Sequence, residues 1–161
     1  MKPLKEYDLP SLESQNCFAA KRKHDYHTGV DLFCEENDEV YSMYDGIVTN
    51  VIEFTGYSES PWWNDTLAVM VYHPEIQKTF LYGEILTKIK VGRTVKAGQE
   101  IGRVKTVLKK DKGIFLRLFT FKKKSSTMLH MECYKGLQKN AVWWYHDKKC
   151  PNNLEDITKY L

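Results

Sequence analysis

Long apolar runs are missing from this chain. No stretch approaches the ~18 residues that a membrane-crossing helix requires, so no membrane span is expected. The opening segment, Met1-Lys2-Pro3-Leu4-Lys5-Glu6-Tyr7-Asp8, has no apolar centre of the kind a secretory signal carries. Synthesis in the cytosol is the expectation, with any outside role reached through lysis, an unusual export route or a removed leader. Cysteine is sparse and scattered: Cys17, Cys34, Cys133 and Cys150 form no C-x-x-C pair, which excludes a zinc ribbon and a thioredoxin-type motif. Free buried thiols are the reading that fits this compartment, with three disulfide pairings formally open. Repeats and low-complexity linkers are absent too, so residues 1–161 read as a single domain. Charge is nearly balanced: the formal net charge of +3 permits an acidic partner without demanding one.

Helical periodicity is the next scarcity. Its best stretch is a short segment at Leu154–Leu161, after Pro151. Alternation of period two fills most of the remainder, at Glu39–Phe54, Thr66–His73, Lys78–Ile85, Thr94–Leu108, Ile114–Phe121 and Met128–Tyr134. Asp45-Gly46, Gly56 and Lys96-Ala97-Gly98-Gln99 punctuate these runs as turns. An aromatic content of 13% suits strands or a binding groove. The fold class is therefore mainly β, an antiparallel β-sheet or sandwich. Between Lys105 and Lys124 eight Lys or Arg accompany a single acid, Asp111, around the apolar Ile114, Phe115, Leu116, Leu118, Phe119 and Phe121. Lysines at the ends of a hairpin blunt its edge. They lack the interleaved exposed aromatics of a nucleic-acid platform, so no nucleic acid is expected as a partner.

Against this background one string carries chemistry: His27-Thr28-Gly29-Val30-Asp31, together with His130 in the apolar run Thr127–Glu132. Two imidazoles and a carboxylate are the smallest protein ligand set for a zinc site that keeps one position open. If the segment is a strand, positions i and i+4 face the same side, so His27 and Asp31 can converge. Gly29 allows either a close backbone approach or an unusual φ. His130, alone in an apolar strand, needs a partner to offset its burial.

These residues, in this order, resemble the lysostaphin-type (LytM-like) zinc peptidases that cut peptidoglycan cross-bridges. His27-Thr28-Gly29-Val30-Asp31-Leu32 is similar to that family's H-x-G-x-D segment. Val40–Val48 resembles its V-x-A-x-x-x-G-x-V strand, with Ser42 for the alanine. Ile89–Gly102 resembles its V-x-x-G-x-x-V-x-x-G-x-x-I-G turn, and Leu129-His130-Met131-Glu132 the end of its H-L-H-F-E strand. Asp156–Leu161 is similar to its D-P-x-x-Y-L ending, with Ile157 for the proline. The resemblance implies the duplicated hybrid-motif β fold, a core at about 21–134, a basic hairpin insertion at about 105–126 and an extension at 135–161. It implies a Zn2+ cofactor held by His27, Asp31 and His130, and peptidoglycan or a peptide as substrate.

Two further family histidines, which activate water and stabilise the oxyanion, correspond to Glu84 in Tyr82-Gly83-Glu84-Ile85 and to Met128 in Met128-Leu129-His130. A thioether neither donates a hydrogen bond nor accepts one well. A carboxylate beside a metal site is a legitimate general base, so Glu84 is the expected base. His73, Tyr82 and His146 are weaker candidates for a replacement donor, and Glu132 reads as a supporting or packing residue. Trp62-Trp63 and Tyr82 are the expected substrate contacts, with Trp143-Trp144 a second aromatic pair at the groove. Two functional classes stay open: an active zinc endopeptidase, and a zinc-stabilised recognition module that has lost the chemistry. The Ile89–Gly102 turn also resembles biotinyl, lipoyl and sugar-phosphotransfer carrier domains, but the attachment-site lysine motif of the biotinyl and lipoyl domains is absent. Release by lysis would suit a phage or bacterial lytic factor. Oligomeric state is not legible.

Overall fold

The computed structural model describes residues 1–109 and 127–161. Its strands are β1 (Val30–Phe33), β2 (Glu39–Tyr41), β3 (Gly46–Glu53), β4 (Leu67–His73), β5 (Lys78–Leu86), β6 (Thr94–Val95), β7 (Glu100–Val104), β8 (Met128–Lys135) and β9 (Leu154–Glu155). All pairings among them are antiparallel, in the order β1-β8-β5-β4-β3-β6, with β7 on β5, β2 on β7 and β9 on β8. The expected mainly antiparallel β class is what the chain adopts. No described helix is long and apolar enough to cross a membrane.

Two of the alternating runs turn out to be two strands each. Glu39–Phe54 divides at Asp45-Gly46, and β2 swings away from β3 to pair with β7. Thr94–Leu108 divides at Lys96–Gln99, where Gly98 takes φ +79°, the left-handed conformation that glycine tolerates without strain. The carboxy-terminal segment is helical only in part: β9 is followed by one 3-10 turn, Ile157–Tyr160, capped by Asp156. Short β1 falls outside the runs that alternation picks out. The expected strand Ile114–Phe121 lies outside the described residues, as does most of the basic insertion. All four cysteines are free thiols. Burial pushes those of Cys34 and Cys133 up to about 12.

The pleat sorts side chains between two faces. One face is the main core, with Val30 and Leu32 of β1, Leu129, Met131 and Cys133 of β8, and Phe80, Tyr82 and Ile85 of β5. The opposite face carries a smaller cluster of Ala68, Met70, Leu81, Tyr134 and Leu154, under the 141–150 segment. Asp31, His130 and Glu132 alternate out of the main core onto this second face. Register aligns them, because Asp31 pairs with His130 and His130 pairs with Gly83, a row across β1, β8 and β5.

One irregularity matters. From Leu67 to Val69 β4 advances two residues while β5 advances three, from Ile85 back to Tyr82. The extra residue is a β-bulge at Gly83-Glu84, and Glu84 has φ +62°. Bulges re-aim side chains. Here Ile85 returns to the main core beside Tyr82, and Glu84 is left on the other face.

Candidate metal centre

Asp31 and His130 are neighbours by strand register, whereas His27 arrives by a different route. It stands before β1, on a segment pinned by two backbone bonds, Ala19 N–H to His27 O and His27 N–H to Ala20 O, each 2.9 Å. The convergence of His27 and Asp31 is thus not the same-face geometry of one strand, as the spacing suggests, but a loop folded against a strand. Asp31 N–H donates to Asn16 O at 3.0 Å, which ties that loop to β1. Gly29 contributes by its lack of a side chain. A Cβ there would lie 2.2 Å from Met131 O and 2.9 Å from the His130 ring.

Three atoms meet: His27 Nε2 and His130 Nδ1 are 3.1 Å apart, His27 Nε2 and Asp31 Oδ1 3.2 Å, and His130 Nδ1 and Asp31 Oδ1 2.8 Å. Tetrahedral ligands with ~2.0–2.1 Å bonds to zinc lie roughly 3.3 Å from each other, so this triangle is close to one face of such a site. The remaining polar atoms of these three side chains are already occupied. His27 Nδ1–H donates to Cys17 O at 2.9 Å, leaving Nε2 as the free lone pair. His130 Nε2 bonds Glu132 Oε1 at 3.0 Å, the carboxylate–histidine arrangement that orients a metal ligand. Glu132 is held in turn by the hydroxyls of Thr28 and Tyr134. Asp31 Oδ2 accepts Nη2 of Arg22 at 2.8 Å.

The electrostatics favour a cation. Burial opposes charge on His130, but hydrogen bonds to Asp31 and Glu132 outweigh it and raise the ring's pKa to about 10. Burial likewise opposes charge on Asp31, and the two imidazoles overcome it, holding the carboxyl well below the usual carboxylate range. Burial pulls His27 down, toward the neutral form that ligates. Among the described residues, His27, Asp31 and His130 form a group able to hold a metal ion.

They lie on the floor of a cavity of about 1050 Å3, which Glu84, Met128, Glu132, Trp63, Trp143 and Trp144 also line. Glu84 Oε2 is buried and has no hydrogen-bond partner among the described residues. Burial, and next the nearby charge of Asp31, push this carboxyl up to about 8. The Glu84 carboxylate is not within the compact ligand group, so it faces the site rather than completing it.

The other sequence candidates are distributed less favourably. Tyr82 does not contact the cavity: it is fully buried in the main core, where its hydroxyl accepts Met43 N–H at 3.1 Å and lies 3.4 Å from His73 Nε2. Alternation along β5 puts it on the face opposite His130, which corrects its assignment as a substrate contact. His73 belongs to that same buried network. Trp63 lines the cavity; Trp62 is half exposed and does not. His146 is exposed, on the Asp25 carbonyl at 2.8 Å, outside the cavity lining. Sequence reasoning passed over Arg22, Thr28 and Tyr134. Arg22 sits in the basic run Lys21-Arg22-Lys23, which reads as a solvated turn, and nothing in that string distinguishes it.

The β-scaffold gathers two imidazoles and one carboxylate in one cavity, a donor set able to hold a metal ion. The model of Peptidase family M23 matches residues 25–142, well over half of the chain, and the chain belongs to that family. Among solved structures it is similar to the catalytic domain of the antimicrobial peptidase lysostaphin from Staphylococcus simulans: 14% identity, 96% of this chain and 91% of that one, TM-score 0.58. It is also similar to a mutant catalytic domain of the prophage-encoded M23 protein EnpA from Enterococcus faecalis: 20% identity, 89% of this chain and 92% of that one, TM-score 0.53. At these identities the two likenesses speak for the fold. Comparison with curated protein sequences gives no significant match.

Proposed function

We propose that this protein is a zinc-dependent endopeptidase that hydrolyses peptide bonds of peptidoglycan cross-links. The observation that carries the reading is the triangle of His27 Nε2, Asp31 Oδ1 and His130 Nδ1 on the cavity floor, beside a buried carboxylate oxygen of Glu84 with no described partner. His27, Asp31 and His130 would hold the metal. Zinc held there would supply Lewis-acid polarisation of the scissile carbonyl and acidification of the attacking water. Glu84 acts on the proton: its Oε2 is the acceptor for the proton that the attacking water loses, and then the donor to the leaving amine. Trp63, Trp143 and Trp144 border the groove in which an extended peptide would lie. Access to the wall by release on lysis belongs to the same proposal.

Met128 favours a second reading. At the cavity wall it offers no donor for the negative charge that develops on the carbonyl oxygen, a loss worth about 10²–10³ in rate. On that reading the domain keeps the metal and serves as a recognition module. The deciding experiment incubates zinc-loaded protein with purified peptidoglycan or cross-bridge peptides and assays for new amino termini. Cleavage that vanishes in His27→Ala and in Glu84→Gln, while Glu84→Gln still binds zinc, supports the peptidase with Glu84 as base. Inert protein with stoichiometric zinc supports the module. Full activity in zinc-bound Glu84→Gln removes Glu84 from the mechanism.

A further inference from the structure

We infer that Arg22 is a positioning residue that keeps Asp31 a one-oxygen ligand and so keeps a position of the metal open. The inference rests on the metal site of the proposed function, but not on hydrolysis. The two oxygens of Asp31 have separate partners: Oδ1 faces His27 Nε2 and His130 Nδ1, and Oδ2 accepts Arg22 Nη2 at 2.8 Å. A carboxylate can ligate through one oxygen or both. Three protein ligands with Asp31 using one oxygen leave zinc its fourth position. If Oδ2 also bound, the metal would become five-coordinate and that position would be crowded.

Something must therefore hold Oδ2 away, and Asp31 is too deeply buried for bulk water to serve, at 2% exposure. The Arg22 guanidinium does it with a charge-assisted hydrogen bond, about twice as strong as a neutral one. The guanidinium is itself fixed. Its Nε donates to Gln15 O at 3.1 Å, and the Arg22 backbone N–H closes a turn onto Asp25 O at 2.8 Å, inside the Lys21–Tyr26 bridge. Arg22 also lines the cavity, and it precedes the residues that the family model matches. It lies on the amino-terminal loop that also carries His27. Without a donor at position 22, Oδ2 would be a buried acceptor with no partner, a costly state. Turning onto the metal is its remaining outlet.

The test reads coordination directly. Zinc K-edge X-ray absorption on zinc-loaded protein, with the visible spectrum of the cobalt(II)-substituted form alongside, should give four ligands for the unmodified protein. Arg22→Met, of similar reach but without a donor, should give five ligands and a several-fold loss of visible cobalt absorption. Arg22→Lys, which keeps a charged donor, should restore the four-ligand spectrum. Identical coordination in Arg22→Met and unmodified protein would overturn the proposal. So would a two-oxygen Asp31 in the unmodified protein, a result that needs no variant to fold. An inert protein that shows the expected change in coordination supports the role of Arg22 while refuting the peptidase reading. A protein that takes up no zinc refutes both.

Discussion

The residue that most tightly constrains this site carries no functional group. Gly29 brings the backbone of β1's approach against His130, and a methyl there would sit 2.2 Å from Met131 O. Backbone atoms cannot rotate away as a flexible side chain can. Gly29→Ala must push β1 off β8, and with it Asp31 away from His130. Overpacking of this kind costs about 1–3 kcal/mol. Because the displaced strand carries a ligand, zinc affinity should fall roughly 10–100-fold, the range found when groups that orient ligands are disturbed. Urea unfolding and competition with a chromophoric chelator measure the two effects; unchanged affinity would show that the site tolerates displacement of β1. The string His27-x-Gly29-x-Asp31 announced the glycine but left its reason open between φ and close approach. The reason is close approach, since Gly29 is not among the positive-φ residues.

At the scale of elements, the bulge in β5 decides what faces the His27, Asp31 and His130 group. Glu84 takes φ +62°, in the region where an L-residue is strained and glycine is not. In an ordinary strand glycine is less stable than alanine; here the sign should reverse. Glu84→Gly should be more stable than Glu84→Ala by about 1 kcal/mol, read as urea midpoints. The pair is informative because both variants lack the carboxylate and differ only in backbone freedom. The reverse order would place no strain at the bulge. The alternation of β4, β5 and β8 was plain in the sequence because each has one face in the main core. So was the group of His27, Asp31 and His130, whose residue types and order are distinctive. The bulge was not, because a single unpaired residue leaves no mark in a period-two pattern. The bulge is why Tyr82 and Glu84, two apart in sequence, stand on opposite faces. Arg22 stayed hidden for another reason: a lysine-flanked arginine reads as a solvated turn, and its partner Asp31 lies nine residues on.

Over the whole molecule, two equilibria link the site and the core to stability. The first is protonation of His73. The ring is fully buried, its Nδ1–H donates to Asp45 O at 3.2 Å, and burial lowers its pKa from 6.5 to about 4. The folded protein therefore favours the neutral ring, while the unfolded chain takes up a proton below about pH 6.5. Stability from this source is intact above that pH and is lost progressively as pH falls toward 4, by roughly 3 kcal/mol in all. His73→Gln should flatten this slope, so the difference between its urea midpoint and that of the unmodified protein should shrink from pH 7 to pH 4; parallel curves would exclude His73 as the source. The second is the metal binding proposed above. The triangle joins residues 103 positions apart in the chain, His27 and His130, and so fastens the amino-terminal loop to β8, an interior strand of the sheet. An unfolded chain cannot present this arrangement, so zinc should stabilise the folded state by about 2.7 kcal/mol at 100-fold its dissociation constant. For a domain of this size that is an upward shift of roughly 5–10 °C in Tm. Chelator should remove the shift, and His27→Ala should show none at any zinc concentration. Glu84→Gln, by contrast, should keep it in full, because its carboxylate stands outside the ligand group. A zinc-dependent shift that disappears in Glu84→Gln would make Glu84 a ligand, and the base would have to be sought elsewhere in the cavity.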